Sequence, residues 1–267
     1  MDNRPVIFHD SGIGCLPYAD FFHSRNPCEK LICVADRANF PYGEKSKEYL
    51  IDALLYIVNK LIRLYDPKII AIACNSAAVS ALDVLRKSFP ELPIVGTVPA
   101  IKPAIQASKK RSIGVLGTQR TISDPYISEL AAKYGPVVKI IGITAPELVE
   151  FAEYCWMDAD SEKRLSVIKP WVNKAIEEGA DALVLACTHF LLLKEEFQKA
   201  AAGNMMIFDS VEGICNRIEF LLDEGEGRLR TNLTEKQGIL FKITGEGALD
   251  RSWEKLAGHF GVLPELI

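Results

Sequence analysis

Two of the seven cysteines occur at matching places in the two halves of the chain. Each follows an apolar run and precedes small hydroxyl or amide residues, in the sequences Ile-Ala-Cys74-Asn75-Ser76 and Leu-Ala-Cys187-Thr188-His189. A single buried cysteine is more often a small hydrophobe than a reactive thiol. Two cysteines at matching places, each at the predicted amino end of a helix, favour thiolates, because helix N–H groups stabilise a thiolate and also hold a carboxylate ligand.

Polar residues elsewhere could complete a site around these thiols. Asp10 and Ser11 follow the first apolar run, in a loop whose glycines allow a ligand to approach the backbone. The turn at residues 41–43 could present backbone N–H groups. His189 lies two residues after Cys187 and could poise that thiol or bind a substrate carboxylate. Three carboxylates lie upstream of His189, and residue type and spacing do not distinguish among them: Glu147, Glu150 and Glu153.

The sequence gives little support for a metal or nucleotide cofactor. Its four histidines include no pair at metal-ligand spacing, and it has no Cys-x-x-Cys motif. The loop at residues 117–121 offers hydroxyl groups without a phosphate-binding lysine, and the short Gly-x-Gly at residues 12–14 is not a dinucleotide fingerprint. We therefore expect no cofactor.

The elements that must position these residues repeat one α/β pattern. Short apolar runs predict buried strands at 6–8, 31–34, 69–73 and 93–95, and again at 112–116, 138–141, 182–185 and 206–208. Helical periodicity predicts helices over 44–66, over 76–89 with Asn75 or Ser76 as its cap, and over 161–178 with a kink at Pro170. This pattern predicts two pseudo-symmetric open α/β lobes with mostly parallel sheets.

The predicted lobes comprise residues 1–97 with 208–267, and residues 98–207. Ligands bind at the carboxyl ends of the strands in such sheets. Because each predicted lobe carries one of the two cysteines at that end of a strand, we expect the active site in the cleft between the lobes.

Composition narrows the class of protein. Apolar residues make up 49% of the chain and charged residues 25%, which is typical of a globular protein with a sizeable core. The net charge of -4 offers no basic field, so a nucleic-acid partner is not expected. An odd number of scattered cysteines indicates a reducing cytoplasm. With no signal peptide and no run of about 18 apolar residues, we expect neither secretion nor a membrane partner.

A set of motifs, in this order, resembles the glutamate racemase family of the aspartate/glutamate racemase superfamily. The resemblance runs nearly end to end and rests on Asp10-Ser11-Gly12, Pro41-Tyr42-Gly43, Ala73-Cys74-Asn75-Ser76, Val95-Gly96-Thr97-Val98-Pro99-Ala100, Gly117-Thr118, Cys187-Thr188-His189 and Thr244-Gly245. It implies two pseudo-symmetric α/β lobes and cofactor-independent conversion between L- and D-glutamate. The product D-glutamate would serve bacterial peptidoglycan, and therefore cell wall and cell shape.

The resemblance also implies roles for particular residues. Cys74 and Cys187 become the two acid/base thiols, Asp10 assists Cys74, and His189 with Glu150 assists Cys187. The implied substrate contacts are Asp10, Ser11, Tyr42, Gly43, Asn75, Ser76, Thr188 and His189. A homodimer is compatible with this interpretation, although the sequence does not specify its arrangement.

Several positions depart from the family pattern, and two other functions stay open. The departures are Cys15-Leu16-Pro17, Ala186, Phe190-Leu191 and the missing Cys-Pro before Glu150. They flank the chemical groups without removing them, so they bear on the choice of substrate more than on the reaction. The alternatives are a racemase of aspartate or another acidic amino acid, and a non-catalytic amino-acid-binding descendant.

Overall fold

The computed structural model describes residues 1–135 and 137–267, with residues 225–227 described by their backbone alone. The chain divides into two compact units. The first comprises Met1–Val98 with Val211–Ile267, and the second comprises Pro99–Ser210. Among the described residues, no helix combines the length and the apolar character needed to cross a membrane.

The described residues form ten strands and eleven α-helices. The strands are β1 (Val6–Asp10), β2 (Leu31–Ala35), β3 (Ile69–Ile72), β4 (Ile94–Gly96), β5 (Ser112–Gly117), β6 (Lys139–Thr144), β7 (Ala182–Ala186), β8 (Met206–Phe208), β9 (Ile239–Ile243) and β10 (Pro264–Leu266). The helices are α1 (Leu16–Arg25), α2 (Lys47–Tyr65), α3 (Asn75–Ser88), α4 (Ile101–Ala107), α5 (Gln119–Ile122), α6 (Pro125–Tyr134), α7 (Pro146–Glu150), α8 (Ser161–Glu177), α9 (Lys194–Ala201), α10 (Val211–Gly227) and α11 (Arg251–His259).

Each unit contains one parallel sheet. The spatial order is β10-β9-β2-β1-β3-β4 in the first unit and β6-β5-β7-β8 in the second. The four strands β2-β1-β3-β4 therefore have the same order as β6-β5-β7-β8, as the predicted duplication requires. Strands β9 and β10 extend only the first sheet and were not predicted.

Burial explains why the central strands form. Every residue of β1, β2 and β7 is buried, as expected for strands of a parallel sheet covered on both faces. Helix α2 shows the complementary pattern, because its apolar face packs in the core cluster of the first sheet. The side chain of Ser46 accepts a hydrogen bond from the Tyr49 N–H to begin this helix, and Asp66, at φ 45°, ends it.

The register of the two sheets places the two cysteines at equivalent positions. His9 of β1 is paired with Ile72 of β3, and Cys74 lies two residues further on. Leu116 of β5 is paired with Leu185 of β7, and Cys187 also lies two residues further on. Both thiols therefore follow the carboxyl end of the corresponding strand of their own unit.

Candidate active site

Cys74 joins β3 to α3 in the first unit. It is the N-cap residue of α3, its backbone is extended, and its side chain makes no capping hydrogen bond. Asn75 and Ser76, the two residues predicted to cap this helix, belong instead to its first turn. The strand thus delivers a buried thiol directly to a helix amino end, where N–H groups without intrahelical partners lie.

Asn75 presents an unusual amide beside that thiol. The residue is only 3% exposed, and neither its Oδ1 nor its Nδ2 has a hydrogen-bond partner within the described residues. Burying an amide without partners costs free energy, so such groups in native proteins are rare and call for an explanation. A ligand that both accepts and donates hydrogen bonds would satisfy both atoms.

Asp10 ends β1, the strand beside β3, and its carboxylate is also partly unsatisfied. The residue is fully buried. Its Oδ1 accepts hydrogen bonds from the Gly12 N–H at 3.0 Å and the Ser11 hydroxyl at 3.4 Å. Its Oδ2 is buried without a partner among the residues that the structure describes. One oxygen is therefore fixed by the loop while the other is left for a proton or a ligand.

The side chain of Tyr42 is held by contacts within the first unit. It is fully buried, and its hydroxyl donates to Asp36 Oδ2 at 2.6 Å and lies 3.3 Å from His9 Nε2. Burial, with a smaller contribution from the Asp36 charge, raises the pKa of Tyr42 well above its usual range. A substrate contact at Tyr42 and its half-buried neighbour Gly43 would therefore use the main chain of the turn. Sequence reasoning gave Asp36 no role.

Cys187 follows β7 in the second unit without an intervening residue. The next segment is a 3-10 helix, Thr188–Leu193, and α9 begins only after it. The α-helical amino end predicted at this cysteine is therefore replaced by a tighter turn. This turn places His189 Nδ1 at 3.8 Å from Cys187 Sγ and at 3.4 Å from the Thr188 hydroxyl.

Glu153 holds the other side of the His189 ring. Its Oε2 lies 2.7 Å from His189 Nε2, and the glutamate is fully buried. Burial alone would lower the pKa of His189, but the Glu153 and Cys187 groups outweigh it and raise that pKa well above its usual 6.5. A protonated imidazole at this position directs one N–H toward the carboxylate and one toward the thiol.

Glu150, which the resemblance named for this role, lies elsewhere. It is the last residue of α7 and its side chain is exposed. After it the chain widens into a π-helical turn, Phe151–Cys155, whose middle residue is Glu153. The structure thus shows that Glu153, and not Glu150, is in contact with His189. Single π turns are frequent at functional sites.

The five other cysteines are free thiols in different surroundings. Burial raises the pKa of Cys15 well above its usual range and that of Cys215 to about 12. Those thiols are protonated at neutral pH and behave as small hydrophobes. Within residues 1–135 and 137–267, no group of three or more His, Cys, Asp or Glu side chains could hold a metal ion.

Comparison with known proteins places this chain in a family. The family model for Asp/Glu/hydantoin racemases matches residues 23–217. A glutamate racemase from Treponema pallidum (strain Nichols) is 39% identical over 257 residues, covering 96% of this chain and 93% of that protein. One from Sphingopyxis alaskensis is 37% identical over 223 residues, covering 83% of each.

Solved structures agree with this placement. The crystal structure of Escherichia coli glutamate racemase, in complex with L-glutamate and the activator UDP-MurNAc-Ala, superposes with a TM-score of 0.85 at 28% identity, covering 98% of this chain and 97% of that one. A glutamate racemase isoform from Bacillus anthracis shares the fold with a TM-score of 0.86 at 24% identity, covering 100% of this chain and 98% of that one. These matches confirm the resemblance seen in the motifs and the prediction of two α/β lobes. The chain belongs to the aspartate/glutamate/hydantoin racemase family, and the two curated relatives compared with it above are glutamate racemases.

Proposed function

We propose that this protein interconverts L- and D-glutamate without a cofactor, by proton transfer to and from two cysteines, and supplies D-glutamate for peptidoglycan. The observation that carries the proposal is the equivalence of Cys74 and Cys187 in the registers of two like sheets. Each thiol also has acidic or cationic groups nearby: Asp10 ends the strand beside that of Cys74, and His189 contacts Cys187.

Two thiols suit the chemistry of inversion. The α-proton of an amino acid is weakly acidic, and a single base cannot remove it from one face and return a proton to the opposite face. One thiolate and one thiol can do so, and they exchange roles in the reverse direction. Cys74 would remove the proton from D-glutamate and Cys187 from L-glutamate, as the family resemblance implies.

Substrate binding would use the polar groups around each thiol. The Asn75 amide can donate to a substrate carboxylate and accept from its ammonium group, which would satisfy both of its buried atoms. The first-turn N–H groups of α3, together with Ser76, would hold a carboxylate and stabilise charge that develops as the α-proton leaves. Ser11, Thr188 and the main chain at Tyr42 and Gly43 complete the proposed set.

The assisting groups differ between the two thiols. On the Cys187 side, a protonated His189, fixed by Glu153, would stabilise the thiolate and hold it in place. On the Cys74 side, the carboxylate of Asp10 would assist through its Oδ2, which has no partner among the described residues. We assign the carboxylate on the Cys187 side to Glu153 and not to Glu150.

The direct test is turnover by dialysed protein. We expect purified protein, treated with a chelator and given neither pyridoxal phosphate nor metal, to racemise both L- and D-glutamate, because the two thiols supply both proton transfers. Circular dichroism of each enantiomer follows the reaction, and L- and D-aspartate serve as competing substrates. Activity that is lost on dialysis and restored only by pyridoxal phosphate or a metal would refute the proposal.

Asp10→Asn should alter the two directions of the reaction unequally. The two enantiomers have equal free energy in water, so kcat/KM is the same in both directions for every variant. The asymmetry must therefore appear in kcat and KM separately. We expect kcat to fall about 10²-fold. We also expect the primary deuterium isotope effect to be larger for D-glutamate than for L-glutamate, because Cys74 removes the proton of D-glutamate. Unchanged kcat values and isotope effects for both enantiomers would remove Asp10 from its role.

A further inference from the structure

Asp36 is a buried carboxylate at the carboxyl end of β2. It is 2% exposed, and its N–H donates to the backbone oxygen of Asp10 at 2.8 Å, so it lies beside the proposed site. Its side chain accepts hydrogen bonds from neutral amide and hydroxyl donors. Burying a carboxylate without a cation is costly, so this group contributes little to stability compared with an apolar residue of similar size.

Three donors converge on this carboxylate from separate segments. Asp36 Oδ2 accepts from the Tyr42 hydroxyl at 2.6 Å and from Asn39 Nδ2 at 2.8 Å. Asp36 Oδ1 accepts from the Thr244 hydroxyl at 2.5 Å. Thr244 follows β9, more than 200 residues away in sequence, and its Oγ1 also accepts from the Ala38 N–H at 3.2 Å. The carboxylate thus ties the loop after β2 to the end of β9.

The hydrogen-bond directions around Tyr42 follow from these contacts. The pKa of Tyr42 is raised, so its hydroxyl stays protonated and donates to Asp36. Burial lowers the pKa of His9, so the ring is neutral, and its Nε2 can donate to the oxygen of Tyr42. Two contacts at its hydroxyl, with Asp36 and with His9, thereby hold the side chain of Tyr42, and the main chain of the turn is held with it.

We propose that Asp36 is a positioning residue for racemisation: through Tyr42 it fixes the turn at Tyr42 and Gly43, by which the substrate is bound, without touching the substrate itself. This inference rests on the proposed function, because it assigns Asp36 a role in that reaction. A fixed turn holds the substrate alike in the ground state and in the transition state. Its loss therefore raises KM and leaves kcat nearly unchanged.

The test compares variants that remove one or all of these bonds. Tyr42→Phe keeps the ring and the main chain and should raise KM for both enantiomers about tenfold, with kcat changed by less than about threefold. Asp36→Ala, which leaves three donors unpaired, should raise KM about a hundredfold. Asp36→Asn should have a KM close to that of the wild type. Its amide oxygen can accept from Tyr42 and Asn39 while its NH₂ donates to Thr244.

Glu29→Gln is the matched control. Glu29 is also 2% exposed, and it precedes β2 just as Asp36 follows it. It bonds Lys68 Nζ at 2.6 Å and the Thr231 N–H at 3.1 Å, at the opposite end of the same strand. This change should lower the unfolding temperature and leave KM unaltered.

The outcomes separate this inference from the function on which it rests. If the wild-type protein racemises glutamate but Tyr42→Phe and Asp36→Ala keep its KM, the positioning role is wrong and the proposed function stands. If the wild type binds glutamate without racemising it, the proposed function fails. In that case, calorimetric Kd values for glutamate still test the positioning role, because Tyr42→Phe is expected to bind glutamate about tenfold more weakly than the wild type. Should Asp36→Ala not fold, the KM of Tyr42→Phe is sufficient to decide between a positioning role and none.

Discussion

Replacing either Cys74 or Cys187 by serine should lower the rate of glutamate racemisation by about 10³-fold or more. A serine hydroxyl is a far weaker acid than a thiol, so it neither forms the required base at neutral pH nor returns a proton readily. Because one thiol alone reaches only one face of the α-carbon, the loss should be equally complete for the two variants. Cys28→Ser is the matched control, since Cys28 is a partly exposed thiol remote from β3 and β7 in the sequence, and it should racemise at the wild-type rate.

A substrate with a leaving group separates the two half-reactions. In glutamate carrying chlorine on its β-carbon, removal of the α-proton lets the electron pair expel chloride and form an enamine, which water converts to 2-oxoglutarate and ammonium. No second proton transfer to the α-carbon is needed. Cys187→Ser should then eliminate chloride from the D form only, and Cys74→Ser from the L form only. Released 2-oxoglutarate is the measured product.

Incorporation of deuterium from heavy water tests the same mechanism independently. The wild type should place deuterium in the newly formed enantiomer early in the reaction, because the returning proton comes from a thiol that has exchanged with solvent. Equal elimination of both enantiomers by both serine variants, or full racemisation by either, would contradict the two-base mechanism. One cysteine would then return to a structural role.

The central elements were predictable because buried strands and half-buried helices have characteristic patterns of apolar residues. Strands β1, β2, β3 and β7 are covered on both faces and appear as continuous apolar runs, and α2 repeats its apolar residues at helical spacing. Strand β10 lies at the edge of the first sheet, β9 lies between β10 and β2, and both are partly exposed. Strand β10 contains no apolar run, so periodicity does not detect it, whereas β9 contains the short run Ile239-Leu240-Phe241 and was missed although that pattern is present.

The two thiols were predictable from repetition, whereas their assisting groups were not. By register, Gly117 occupies in β5 the place that Asp10 has in β1, so the duplication cannot indicate a carboxylate for Cys187. The carboxylate that contacts His189 belongs to Glu153, three residues after Glu150. That spacing puts both residues near one face of an α-helix, and only the π turn separates them. The bond from Thr244 to Asp36 spans too many residues to leave any local signal.

Glu153→Gln should lower kcat about 10²-fold, whereas Glu150→Gln should leave it unchanged. Both changes replace a carboxylate by an amide of the same shape, so they differ only in what the side chain contacts. Glu153 is fully buried against His189 Nε2, and Glu150 is exposed at the end of α7. Without the charge of Glu153, the largest contribution that raises the pKa of His189 is lost, so we expect that pKa to fall. A thiolate at Cys187 would then be stabilised less by the His189 cation.

The protonation of His189 is the measurement that links this loss to its cause. In the wild type, NMR should give His189 a pKa well above 6.5, and Glu153→Gln should lower that pKa. Since the folded value is raised above the unfolded one, the ion pair adds stability that is complete below about pH 6.5 and disappears as pH rises through the folded value. The stability gap between the wild type and Glu153→Gln should therefore narrow at alkaline pH. If Glu150→Gln shifted the His189 titration and Glu153→Gln did not, the carboxylate beside Cys187 would be the one that the family resemblance first indicated.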